Sequence, residues 1–147
     1  MRRPWLLTAV AWLALAPLLP AQEALVVIVN LESGVTRLTR EEATNIFMGR
    51  QKHLRPGLVA LPVEQVAPGQ ARARFYELLV NLPLPQVRAY WARLYFSGQA
   101  QPPRQTESAA ETLQVVAANK GAIGFVEQTQ LDHRVKAVLV LADKGPL

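Results

Sequence analysis

Few residues in this sequence could perform covalent chemistry, and their spacing fits no catalytic pattern. The chain contains three serines, Ser33, Ser97 and Ser108, two histidines, His53 and His133, and no cysteine. No serine lies in the G-x-S-x-G turn of a hydrolase, and neither histidine has a second histidine four residues away. The lack of cysteine excludes disulfides, thiol nucleophiles and lipid-modified cysteine. The sequence therefore predicts a protein that is not an enzyme, with no catalytic residues, no metal site and no cofactor.

Two segments have the composition of an anion site. The first, Pro68-Gly69-Gln70-Ala71, falls between a predicted strand and a predicted helix, where free N–H groups and the helix dipole favour negative charge. Arg72 and Arg74 follow in the first helical turn, where a cation is otherwise unfavourable. The second segment, residues 50–55, holds three cations and His53, and a solvated basic loop is its simplest interpretation.

The elements that must position these residues follow from hydrophobic patterns and caps. Capping boxes at Thr39–Glu42 and Ser108–Glu111 predict the starts of two helices. The pattern predicts strands over Ala24–Val29, Val59–Val63, Ala122–Val126 and Val135–Leu141, and helices over Arg40–Met48, Gln70–Val80, Pro85–Phe96 and from Ser108 to Asn119. Residues 50–57 and 99–106 are expected to be loops. This alternation is typical of an α/β domain with helices packed on a mostly parallel sheet.

The first 21 residues have the three-part pattern of a secretory signal peptide. Arg2 and Arg3 precede an uncharged stretch from Trp5 to Leu19, and Ala21 offers a small residue for cleavage. The rival interpretation is an uncleaved anchor, but a helix of that length covers only about 22 Å of the roughly 30 Å hydrocarbon layer. We therefore expect a signal peptide over 1–21, a folded domain over 22–147, a periplasmic location and no stable membrane insertion after cleavage.

The net charge of the chain indicates which classes of binding partner are expected. The whole chain has 16 basic and 11 acidic residues, a formal charge of +5. Removal of the predicted signal peptide takes away two arginines, so the remaining chain has a formal charge of +3. This small excess is poor evidence for nucleic acid as a partner.

Three segments resemble the solute-binding proteins of phosphate ABC transporters. They are Leu38–Gly57, Leu58–Leu79 and Val116–Glu127, of which Gly121-Ala-Ile-Gly-Phe-Val126 is the most specific. Together with the strand ALVVIVN at Ala24–Asn30, the resemblance covers nearly all of the chain after the signal peptide. It implies a type II periplasmic-binding-protein fold. Full-length members of that family have two α/β lobes, whereas this chain resembles one lobe and lacks half of the ligand cleft.

The resemblance also identifies a changed phosphate turn. The family's turn resembles Arg-Ser-Asp-Gly-Ser-Gly-Thr after a Pro-Val pair, which places Gln65 at the arginine and Ala67 at the aspartate. Gly69 and Ala71 then stand where hydroxyl donors are expected, and Phe75 matches an aromatic position. A charge-assisted hydrogen bond contributes roughly 1.5–3 kcal/mol, so these losses cost on the order of 5 kcal/mol of binding free energy. Tight phosphate capture is not expected.

Two functions follow from this resemblance. The first is an exported solute-binding-type domain that binds inorganic phosphate or another small anion weakly. Its expected ligand-binding residues are Gln65, Gly69, Gln70, Ala71 and Arg72, with Arg72 or Arg74 replacing the missing cation. The second is a protein–protein interaction module of the cell envelope that has lost phosphate binding. A lone lobe exposes the face of its absent partner, so a homodimer or an envelope protein partner is the expectation in that case.

Overall fold

A computed structural model describes residue 16 and residues 23–66 and 69–143 of the chain. The predicted signal peptide, apart from Ala16, and Ala67 and Pro68 of the turn lie outside the described residues. Within the described part, none of the helices has the length and apolar character needed to cross a bilayer.

The centre of the fold is a five-stranded sheet in the order β5-β4-β6-β1-β7. The strands are β1 (Leu25–Asn30), β4 (Leu61–Gln65), β5 (Arg104–Thr106), β6 (Ala122–Glu127) and β7 (Val135–Leu141), and a separate hairpin is formed by β2 (His53–Arg55) and β3 (Leu58–Val59). β4 pairs in parallel with β5 and β6, whereas β1 pairs antiparallel with β6 and β7. Four of the five strands therefore share one direction, which confirms the predicted mostly parallel α/β sheet.

The described residues form four α-helices around this sheet, and side-chain caps begin two of them. The helices are α1 (Arg40–Phe47), α2 (Ala71–Val80), α3 (Leu84–Phe96) and α4 (Ala109–Ala118). Both bonds of the capping box at Thr39 and Glu42 are present. At α4 the Ser108 hydroxyl accepts from the Glu111 N–H, but the Glu111 carboxylate accepts from Glu107 instead of Ser108. Only half of the second predicted box is formed.

The sheet separates two hydrophobic clusters, one on each face. The larger cluster, with α1, α2 and α3, contains Phe75 stacked on Phe125 at 3.8 Å between ring centroids, with Phe47 edge-on at 4.8 Å from Phe75. The smaller cluster packs α4 against the opposite face. β1 is buried on both faces, which explains its uninterrupted apolar sequence. Every residue of both clusters lies between Leu25 and Leu141, so residues 22–147 contain the whole described core.

Two segments that the sequence predicts to be loops contain strands. The segment 50–57 contributes to the β2–β3 hairpin, and the segment 99–106 contains β5. Gly121 explains how the hairpin comes close to β6, because a Cβ at this position would lie 2.1 Å from the Val59 carbonyl oxygen. The glycine in the most specific part of the family-like sequence is thus required by close backbone packing.

Candidate functional site

The turn between β4 and α2 lies at the carboxyl end of the parallel strands. Such edges are where open α/β sheets bind ligands. Gln65 ends β4 and is half-buried beside Thr106 of β5, while Gly69 and Gln70 are exposed. Gly69 has a φ of 134°, a backbone conformation that favours glycine. Gln70 precedes Ala71 at the start of α2 and makes no side-chain cap. The structure therefore brings Gln65, Gly69, Gln70 and Ala71 to one surface edge.

The adjacent cation, Arg72, is held by a carboxylate inside the protein. Its Nε and Nη2 atoms donate to the two oxygens of Glu64, at 3.1 and 2.8 Å. The Glu64 side chain is only 2% exposed, and that of Arg72 is 16% exposed. The Tyr76 hydroxyl donates to the same carboxylate at 2.7 Å. Glu64 thus has three hydrogen bonds from two side chains, and the arginine charge is compensated internally.

Burial keeps Tyr76 in its neutral form. Removal from water raises the pKa of the Tyr76 phenol well above 10, and the negative charge of Glu64 raises it further, while Arg72 opposes the shift. The phenol therefore remains a hydrogen-bond donor to Glu64 across the ordinary pH range. The three residues form a closed network below the turn, in which each group has its partner.

The second arginine of the turn also has partners within the chain. Arg74 donates to the Glu23 carbonyl oxygen, and its Nη2 lies 3.4 Å from Asp143. Both arginines of the turn, Arg72 and Arg74, are therefore paired with a carboxylate among the described residues. Sequence reasoning missed Glu64. The available signal was an acidic residue within a short apolar strand, directly before the turn.

The other candidate residues lie elsewhere and do not meet in one site. The basic segment 50–55 forms part of the β2–β3 hairpin, where His53 is exposed. Ser33 accepts from the Val35 N–H and Ser108 caps α4, so both hydroxyls have local structural partners. The aromatic residues of α3 are divided, with Trp91 buried and Tyr95 exposed. No cluster of three metal-ligating side chains exists within residues 23–66 and 69–143.

Comparison with solved structures identifies the architecture. The chain superposes on an ABC-type phosphate transport receptor from Vibrio cholerae with a TM-score of 0.64 and 23% identity, covering 80% of this chain and 46% of that one. A putative phosphate ABC transporter substrate-binding protein from Clostridium perfringens, solved with bound phosphate, gives 0.65 and 16% identity over 80% and 45%. PstS from Borrelia burgdorferi gives 0.59 and 15% over 84% and 49%.

This chain has a substrate-binding-protein fold. It spans less than half the length of each of these three solved proteins, consistent with the single lobe expected from the sequence. No protein-family model and no curated protein sequence matches the chain.

Proposed function

We propose that this chain is an exported, non-catalytic solute-binding-type domain whose phosphate turn is degenerate and no longer captures phosphate tightly. The fold supports the solute-binding part of this proposal. The ion pair between Arg72 and the buried Glu64 supports the loss of tight capture, because this guanidinium already binds an anion within the protein. That ion pair is the single observation on which the proposal depends.

A weak anion site at the turn is part of the proposal. Gln65, Gly69, Gln70, Ala71 and Arg72 are its residues, and inorganic phosphate is the first ligand to test. Backbone N–H groups at the start of α2 have no side-chain cap and supply a modest attraction for an anion. Without a free cation or hydroxyl donors, the site is expected to bind phosphate no more tightly than the millimolar range, about −4 kcal/mol.

Calorimetric titration of residues 22–147 with inorganic phosphate at low salt tests this proposal. The expected result is little heat from the unchanged chain and measurable binding by Glu64→Gln, which frees the charge of Arg72 while keeping an acceptor for Tyr76. The matched control, Glu64→Gln with Arg72→Gln, should lose that gain. Micromolar binding by the unchanged chain would overturn the proposal. If the gain survived in the control variant, the responsible anion site would lie away from the turn.

An interaction module of the cell envelope is the second candidate. It is favoured by the exposed turn edge in a chain that spans only half of the proteins it matches. In this case, a second copy or an envelope protein covers that edge. Light scattering over a range of concentrations should then show dimers that Gln70→Glu disrupts. A constant monomer mass, together with no partner in a pull-down from envelope extract, would contradict this candidate.

A further inference from the structure

Acidic residues are absent from two segments of this protein. Residues 43–63 and 78–106 contain no aspartate or glutamate, although the chain has 11 acidic residues. The same segments contain six cations: Arg50, Lys52, Arg55, Arg88, Arg93 and Arg104. From residue 22 onward, the rest of the chain has eight cations and all 11 acids, an excess of negative charge. Although the net charge is small, positive and negative charges are therefore strongly separated along the sequence.

The fold joins the two segments on one surface. Lys52 and Val59 of the hairpin segment and Tyr95 of α3 line the same pocket, which has a volume of about 460 Å³. All six cations are exposed, and none forms an ion pair with an acid among the residues that the structure describes. Lys52, Val59 and Tyr95, together with Phe96, whose ring contacts that of Tyr95, and Arg50, which lies between the lining residues Gly49 and Gln51, are called the cationic face below.

The cationic face also exposes three large apolar side chains. Phe96 is 86% exposed, Val59 is 67% exposed and Tyr95 is 56% exposed. The Tyr95 and Phe96 rings contact each other edge to face, at 5.6 Å between centroids. Single exposed apolar residues are ordinary on protein surfaces, but three among unpaired cations form a combined apolar and positive surface.

We propose that the cationic face docks the protein peripherally on a bilayer that contains anionic phospholipids. Basic residues are attracted to the negative headgroup layer, and aromatic side chains enter the boundary between headgroups and acyl chains. The acidic remainder of the chain is repelled by the same surface, so the charge separation also orients the protein. The exposed aromatics favour a bilayer over a purely ionic polymer, because only the bilayer removes their rings from water.

Vesicle co-sedimentation of residues 22–147 tests this proposal. Phosphatidylcholine vesicles with and without phosphatidylglycerol are compared at low and at physiological salt. We expect binding only when phosphatidylglycerol is present, with weaker binding at the higher salt. Arg50→Glu with Lys52→Glu should weaken binding by at least about tenfold. Each basic residue near an anionic membrane surface strengthens the attraction, and each introduced acid is repelled. Phe96→Ser should weaken it by about tenfold through lost apolar burial.

The matched control reverses two charges at the β7 edge of the sheet. Arg37→Glu with Lys136→Glu changes the net charge equally, but Lys136 lies on β7 and Arg37 precedes the residue that bonds to β7. This variant should bind the vesicles as the unchanged chain does. No binding to the anionic vesicles, or equal losses in both charge variants, would overturn the proposal. Unchanged binding by Phe96→Ser would contradict the proposed entry of aromatic side chains into the bilayer, and pelleting in the absence of vesicles would overturn the proposal in favour of self-association.

Discussion

The turn edge and the cationic face both carry cations, but among the residues that the structure describes only the cations of the turn edge are paired with acids. At the turn edge, Arg72 is 16% exposed and donates two hydrogen bonds to a buried carboxylate. On the cationic face, Arg50 and Lys52 are exposed and have no acid partner within the described residues. The first region is where the resemblance to phosphate-binding proteins places a ligand. Arg50 and Lys52 of the second region lie within Leu38–Gly57, a segment that carries the resemblance, but the resemblance places no ligand there.

The contrast shows that an arginine near a helix start does not by itself make an anion site. What matters is whether its charge is available to a ligand, and this depends on the neighbouring side chains. Glu64 compensates the charge of Arg72 at the turn. In contrast, residues 43–63 and 78–106 contain no acid, so the cations of these segments remain available to an external anion. The exposed cations that are available to an anion therefore lie away from the turn where the resemblance places a ligand.

The largest expected effect comes from breaking the internal pair. Arg72→Ala leaves Glu64 buried without its counter-ion, which should lower the free energy of unfolding by about 3 kcal/mol. Arg50→Ala, its matched control on the cationic face, should change that free energy by less than about 0.5 kcal/mol. Urea denaturation at neutral pH measures both values. Equal, small losses would mean that water solvates Glu64 and that the pair is not internal.

The next largest effect on the free energy of unfolding is expected for Tyr76→Phe, in the same hydrogen-bond network. The variant loses the hydrogen bond from the phenol to the charged Glu64, at a cost of about 2 kcal/mol of unfolding free energy at neutral pH. Because the folded-state pKa of Tyr76 is raised, this contribution is fully present below the unfolded pKa near 10. It is lost as the pH rises through the higher folded-state value, since the unfolded phenol ionises first.

The measurement is urea denaturation of both proteins at neutral pH and at several values above pH 10. The difference in unfolding free energy between the unchanged chain and Tyr76→Phe should shrink as the pH rises. Tyr95→Phe is the control, since Tyr95 is 56% exposed and belongs to the cationic face. An alkaline profile that is the same for the unchanged chain and Tyr76→Phe would show that Tyr76 has no role in this pH dependence.

The fold was largely predictable because local signals and burial agree. The apolar run of β1 predicted a central strand, and the Thr39–Glu42 box predicted the start of α1. β5 was missed because its three residues, Arg104–Thr106, have no apolar pattern, and the strand forms by pairing with β4. The hairpin was missed for a related reason, since β3 contains only two residues.

The two cationic regions were harder to predict for a different reason. The Glu64–Arg72 pair joins residues on either side of a turn, and sequence spacing does not show which group an arginine will face. The acid-free segments can be counted in the sequence, yet they are separated along the chain. Only the fold places Lys52, Val59 and Tyr95 around one pocket. In both cases the missing information was the choice of partner in space.

The smallest expected effect distinguishes two cations that have no ion pair among the described residues from an arginine that donates a hydrogen bond, all within residues 50–57. Arg50→Gln with Lys52→Gln should leave the unfolding free energy unchanged or raise it by a few tenths, about 0.3 kcal/mol, because self-repulsion is removed. Arg55→Gln should instead cost about 1 kcal/mol, since the Arg55 Nε donates to the Ser33 carbonyl oxygen at 2.6 Å. Added salt should reduce the first effect, because exposed charges are screened, and affect the second less. A loss above 1 kcal/mol in the double variant would mean that these cations stabilise the fold, and the cationic face would then be explained by folding and not by docking.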